Sequence, residues 1–271
     1  MKMKKFIALS LVCVMVTSIF TGCGEAKNTQ DTKKEEKAQK TQKVIKVGLE
    51  PSYPPFEFYE EDGTTLTGID HDLAVEIGKK LGYEIEFVAT SWEGIFAGLD
   101  KGDYDVIMSA VTITPDRVTN YSFSTPYIEN FQCLVTLADA KVQPKNLDEL
   151  SGLEVGFQEE STSDTYLSDY MESKKLKCTP RKYAKIIDTF SDLKSKRLDA
   201  IIVDSTVADQ YCMDEKTYKM TWKQEDEPEQ FGICFKKDSE LVDDFNKALK
   251  ELEESGKLKE ILTNYFAADG Q

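Results

Sequence analysis

Residues 92–117 read WEGIFAGLDKGDYDVIMSAVTITPDR, and the reading of this stretch decides the fold. SWEGIFAGLDKG reads as a helix and DVIM as a buried strand. The chain then places Ser109, Thr112, Thr114, Pro115 and Arg117 directly after the strand, where a core-building sequence would turn away with small or solvated residues. Polar donors at the C-terminal end of a strand point to a crevice in an α/β fold.

Reading outward, the same alternation continues in both directions. Upstream lie the strand VIKVGLE from Val44, a hairpin in FEFYEEDGTTLTG, and a helix in IDHDLAVEIGKKLGY. That helix carries Ile69, Leu73, Ile77 and Leu81 at helical spacing, with Asp70 near its cap and Gly82 past its end. EIEFVAT follows as a strand. Downstream, LEVGF is a strand, residues 162–171 a helix, AKIIDTFSDLKSKRL a helix and DAIIVD a strand. QFGICF supplies one further strand, and the chain closes with two helices broken near Gly256. Strands alternating with helices predict βαβ units and largely parallel sheets.

The 271 residues suit one large domain or two lobes. MKMKK followed by an apolar stretch over residues 6–20 has the charged head and short apolar middle of a signal peptide, too short for the ~20 residues of a membrane-spanning helix. It ends in FTGC, which is similar to the lipobox of bacterial lipoproteins, so a signal peptide over residues 1–22 and lipidation at Cys23 are expected. An ordinary secretory signal with an incidental cysteine is the plainer alternative. Residues 24–43 hold no large apolar side chain and read as a tether with a span of roughly 25 Å.

Formal charge is −15, and removal of residues 1–22, with three lysines and no acid, takes it to −18. Such a balance opposes nucleic-acid binding, which needs basic patches. Cys133, Cys178, Cys212 and Cys234 stand at no metal-ligand spacing. With His71 the single histidine, no metal site or cofactor is expected. A disulfide is permitted outside the cell but not assigned by sequence.

GIDHDLAVEIGKKLGYEIEFV, the opening stretch and FSTPY together resemble the extracellular solute-binding proteins of family 3, which deliver amino acids to ABC importers. The resemblance runs from about Val44 to Phe266. It implies a periplasmic-binding-protein-like α/β fold with two α/β lobes joined by two hinge strands. Lobe 1 would comprise residues 44–129 plus 230–271 and lobe 2 residues 130–229, with hinges near 130–136 and 223–229. It also implies a monomer, anchored extracytoplasmically by lipid, that hands a free amino acid to a permease and its ATPase rather than catalysing a reaction.

Residue by residue, the resemblance sets Arg117 against a ligand α-carboxylate, which its planar fork matches. Thr112 would assist, Ser109 would offer a carbonyl to the α-ammonium, and Ala110 would contribute backbone where relatives often carry Ser. Ser161 and Thr162 would complete the carboxylate cradle at a helix N-terminus. Asp204 would take the ammonium, while Tyr53 and Trp92 would wall the side chain. Glu50 stands where relatives for basic or amide side chains carry an acid, which selects a polar, basic L-amino acid: Arg, Lys or His. The residues alone allow plainer roles: Thr112 and Thr114 as helix caps, Arg117 paired with Asp116, Ser161 and Thr162 as an N-cap, and Glu50 in solvent. Cystine or an uncharged polar amino acid is the alternative ligand. A dehydratase-like cleft enzyme, with Glu160 as acid, is the alternative class. Relatives usually carry Gly where Glu160 stands, so the loop geometry there is an open question.

Overall fold

The computed structural model describes residues 43–213 and 216–266. The signal peptide, Cys23 and all but the last residue of the tether lie outside these residues. Lys43, the last of the tether, opens the first strand.

Chain order builds lobe 1 first. β1 (Lys43–Leu49) is followed by a small antiparallel sheet of β2 (Ser52–Tyr53), β3 (Glu57–Tyr59) and β4 (Leu66–Thr67). α1 (Ile69–Leu81) buries Ile69, Leu73, Ala74 and Ile77, and its end is set by Gly82 at φ 71°, a left-handed position that glycine takes without a steric penalty. Asp70 does not cap this helix; it is turned inward and fully buried. β5 (Tyr83–Ala89), α2 (Ile95–Lys101), β6 (Val106–Ile107), the short α3 (Pro115–Asn120) and β7 (Tyr121–Phe123) complete the first pass.

β8 (Ile128–Asn130) then leads into lobe 2: β9 (Gln132–Leu137), β10 (Glu154–Gln158), α4 (Thr162–Lys174), β11 (Thr179–Tyr183), α5 (Ile186–Lys194), β12 (Ala200–Asp204), α6 (Ser205–Cys212) and β13 (Tyr218–Lys223). The return runs through β14 (Glu229–Phe231) and β15 (Cys234–Lys236) to α7 (Leu241–Glu254) and α8 (Lys257–Tyr265). QFGICF is thus two short strands in different sheets, parted at Gly232 and Ile233, rather than one.

Two five-stranded sheets result, ordered β5-β1-β6-β15-β7 and β11-β10-β12-β9-β13. In the first, β5, β1 and β6 are parallel, and β15 runs against both β6 and β7. In the second, β11, β10 and β12 are parallel and β9 antiparallel to β12. Each lobe is therefore a parallel unit with an antiparallel flank, because the chain crosses between lobes mid-sheet and returns. β8 and β14 pair as a separate two-stranded ribbon at the crossing, with Asn130 opposite Glu229. The ribbon meets the two stretches expected as hinges at Asn130 and Glu229, and Gln132–Leu137 is fully buried inside the second sheet.

Continuous apolar runs arise because both faces of each sheet are covered. On β12, Ala200 and Ile202 share a cluster with Leu167 of α4, while Ile201 and Val203 share one with Phe190 of α5 and Val207 of α6. Each such fully buried aliphatic contributes roughly 1.5–3 kcal/mol relative to exposure. Gly48 in β1 is required by close approach, since a Cβ there would meet the Tyr104 ring at 2.5 Å.

Candidate functional site

The parallel strands of both lobes end at one place. Glu50 follows β1, Ser109 follows β6, Gln158 closes β10 and Asp204 closes β12, and all four line a cavity with about 320 Å³ of space including its open mouth. The ten residues expected from sequence, Glu50, Tyr53, Trp92, Ser109, Ala110, Thr112, Arg117, Ser161, Thr162 and Asp204, are all brought to its wall, together with Glu57 and Gln158.

At one end stands Glu50, 2% exposed, so the solvated alternative does not hold. Its carboxylate accepts from Ser52 Oγ and, across the lobes, from Gln158 Nε2 at 3.1 Å. Its own N–H donates to Ser109 Oγ at 3.0 Å. Burial pushes the carboxyl up to about 7, against the opposing pull of the Gln158 hydrogen bond and of Lys185. The group thus sits near its titration point at neutral pH.

Arg117 rises from α3, whose cap is Thr114: the Arg117 N–H donates to Thr114 Oγ1 at 3.2 Å. Thr112 takes no part in that cap. Among the described residues the Arg117 guanidinium forms no ion pair, with Asp116 or otherwise. Nη1 donates to Thr112 O at 2.9 Å, and Cζ lies 5.3 Å from the Trp92 ring centroid and 5.2 Å from that of Phe96. Two aromatic faces and one carbonyl hold the cation without neutralising it. Burial lowers its pKa from the ordinary guanidinium value.

The lobe 2 wall begins with Asp204, 4% exposed. Its Oδ1 accepts from Asn130 Nδ2 and Gln132 Nε2, both at 2.8 Å, and its Oδ2 accepts from Tyr53 Oη of the other lobe. The same two amides donate to Glu229 Oε2 at 3.0 and 3.1 Å, and Thr162 Oγ1 donates there at 3.2 Å. Burial raises Asp204, and burial with the nearby Asp204 charge lifts Glu229 to about 7. Ser161 is the N-cap of the 13-residue α4: its Oγ accepts from Asp164 N–H at 3.2 Å and donates to Gln158 O at 2.7 Å. The N-cap reading is correct, and the cap also turns the positive end of the helix dipole toward the cavity wall. Thr162 Oγ1 meets Thr112 Oγ1 across the lobes at 3.5 Å.

Glu160 is exposed and lines a second, outer cavity with Trp92, Phe96, Asp116, Arg117, Asn120 and Tyr121, not the inner one. Its φ of 60° is left-handed, the conformation that glycine takes freely. His71 lies against Phe87 at 4.7 Å and pairs with Asp72, outside both cavities. No disulfide joins cysteines among the described residues, and none of their helices is long and apolar enough to cross a membrane.

Sequence reasoning missed Gln158, Glu57 and Glu229. The signal for Gln158 was present: like Asp204 it is the polar last residue of a buried parallel strand. Glu57 sits in what reads as an ordinary hairpin, and its inward turn depends on Asp70 and Ser109, which are distant in sequence.

The family model for bacterial extracellular solute-binding proteins, family 3, matches residues 45–268. The chain is 31% identical over 269 residues to the arginine-binding extracellular protein ArtP of Bacillus subtilis (strain 168), covering 98% of this chain and 100% of that one. It is 33% identical over 229 residues to the L-cystine-binding protein TcyJ of Escherichia coli (strain K12), covering 83% and 84%. Among solved structures, an ancestral arginine-binding protein bound to arginine superposes with a TM-score of 0.76 at 34% identity, covering 83% of this chain and 98% of that one.

Proposed function

The chain belongs to the bacterial extracellular solute-binding proteins, family 3, and from that premise we propose that it captures a basic L-amino acid, arginine, lysine or histidine, for delivery to an ABC importer. One observation carries the reading: a half-buried guanidinium without an ion pair shares its cavity with the acids Glu50 and Asp204. A ligand with one carboxylate and two cationic groups complements that set. Its carboxylate meets Arg117, Thr112 and the Ser161–Thr162 turn, its α-ammonium meets Asp204 and the Ser109 carbonyl, and its side chain runs past Tyr53 and Trp92 toward Glu50.

In this reading the ligand bridges both lobes and favours the closed arrangement by its greater affinity for it. The protein acts outside the cytoplasm as a monomer, lipid-anchored at Cys23, and transport energy comes from the importer's ATPase. Catalysis has less support, because the acid that it would need, Glu160, faces the outer cavity.

Glu50→Gln tests the ligand class. Removing the charge costs a basic ligand at least about tenfold in affinity and raises glutamine relative to arginine. An unchanged ranking of arginine over glutamine would remove the basis for a basic ligand.

A further inference from the structure

Glu57 on β3 and Asp70 in the first turn of α1 are both 0% exposed. Their carboxyl groups are brought together by adjacent residues of one segment, Ser109 on Glu57 and Ala110 on Asp70, and each bears on the other electrostatically. Glu57 Oε2 and Asp70 Oδ1 are nonetheless the two buried side-chain polar atoms without a partner among the described residues. Two carboxylates offer acceptors on both sides of such a contact and no donor between them.

The rest of the pair is fully engaged. Ser109 Oγ donates to Glu57 Oε1 at 2.8 Å, and the Ala110 N–H donates to Asp70 Oδ2 at 2.7 Å. The ionisable groups bearing on the pair include Glu50 and the hydroxyls of Tyr53 and Tyr127, and among the described residues no lysine, arginine or histidine forms an ion pair with either carboxyl. The Tyr127 hydroxyl bears on Asp70, yet neither Asp70 Oδ1 nor Glu57 Oε2 has a hydrogen-bond partner among the described residues. Two adjacent buried negative charges with no counter-cation are strongly disfavoured, and one proton held between them removes the conflict.

We propose that Glu57 and Asp70 share one proton between Oε2 and Oδ1, and that this acid–carboxylate pair is the positioning device for the Ser109–Ala110 segment of the cavity wall. With the proton in place, one chain of hydrogen bonds runs in a consistent direction. Glu50 N–H donates to Ser109 Oγ, Ser109 to Glu57, Glu57 to Asp70, and Ala110 N–H closes the chain on Asp70. Ala110 sits at φ 48°, a left-handed conformation that a non-glycine residue keeps only when its surroundings enforce it. The buried Asp70 oxygen on its N–H is that constraint. The pair touches no ligand atom; it acts through Ser109, Ala110 and the Glu50 backbone.

Two readouts test this. Infrared spectroscopy of the whole protein is recorded well above the value of about 7 near which Glu50 and Glu229 titrate. The carbonyl stretch of a protonated carboxylic acid persists there and is lost in Glu57→Gln. In the second readout, the amide of E57Q reproduces both bonds of the protonated acid, donating to Asp70 and accepting from Ser109. E57Q therefore weakens amino-acid binding by less than about threefold, and E57A by at least about tenfold. Absence of the acid band, or an E57Q variant as impaired as E57A, would overturn the proposal. The binding readout rests on the ligand reading given above. The infrared signal needs no ligand, so a protein that bound no amino acid but kept the band would sink that reading and leave the shared proton standing.

Discussion

At the scale of single residues, the cavity wall holds Arg117, Glu50 and Asp204 with no ion pair to any of them among the described residues. Arg117 is the clearest case, since its contacts are two aromatic faces and one carbonyl. Lysine at this position would keep the charge but lose the fork that engages both carboxylate oxygens. Arg117→Gln removes the charge itself, and an expected loss of about 2–5 kcal/mol follows for a desolvated carboxylate left without its partner. Calorimetry of that variant would show binding weakened by at least about 30-fold; a loss under threefold would place the ligand's carboxylate elsewhere. Arg117 was singled out in the sequence through the family resemblance; polar residues after a buried strand drew attention to it, but alone they allowed a plain cap and an ion pair. The contacts that hold it, Trp92 and Phe96, were not legible together, since the aromatic face of a helix looks alike whether it packs or binds.

At the scale of elements, the β8–β14 ribbon brings two acids together. Asn130 and Gln132 each donate to both Asp204 and Glu229, which sets the Glu229 carboxyl beside that of Asp204. Glu229 is raised to about 7 from its ordinary 4.5. Between those values the folded state holds a proton that the unfolded chain has released, so stability rises as pH falls through that window. Glu50, also raised to about 7, acts in the same direction. Thermal unfolding of the ligand-stripped protein should therefore show a higher midpoint near pH 5.5 than near pH 7.5. Glu229→Gln should raise the midpoint at neutral pH and flatten the slope. A midpoint falling steadily on acidification, with no effect of the substitution, would contradict the account of this ribbon. The ribbon escaped the sequence reading because three-residue strands leave no periodicity, and residues 132–137, most of them within the stretch expected as a hinge, form a fully buried strand.

At the scale of the whole molecule, the fold was legible where apolar runs alternate with amphipathic helices: β1, α1, β5, β10, β12 and the closing helices. β11 and β13 were not seen, because TPRKY and YKMTWK are half-exposed edge strands, and edge strands lack the continuous apolar run of central ones. The cavity became visible only with both lobes in place. Glu50 and Gln158 are 108 residues apart, and Tyr53 and Asp204 are 151 apart, yet each pair bonds across the interface. In the proposed function a single ligand in that cavity would touch residues at the strand ends of both sheets and favour closure of the lobes. The most direct test is calorimetric titration of protein that has been unfolded and refolded to strip bound ligand, against arginine, lysine, histidine, glutamine and cystine. The account predicts one-to-one binding with a basic amino acid at the head of the ranking, and binding enthalpies that depend on buffer near neutral pH as Glu50 gives up its proton. Cystine or glutamine at the head of the ranking, or no binding across the panel, would contradict it.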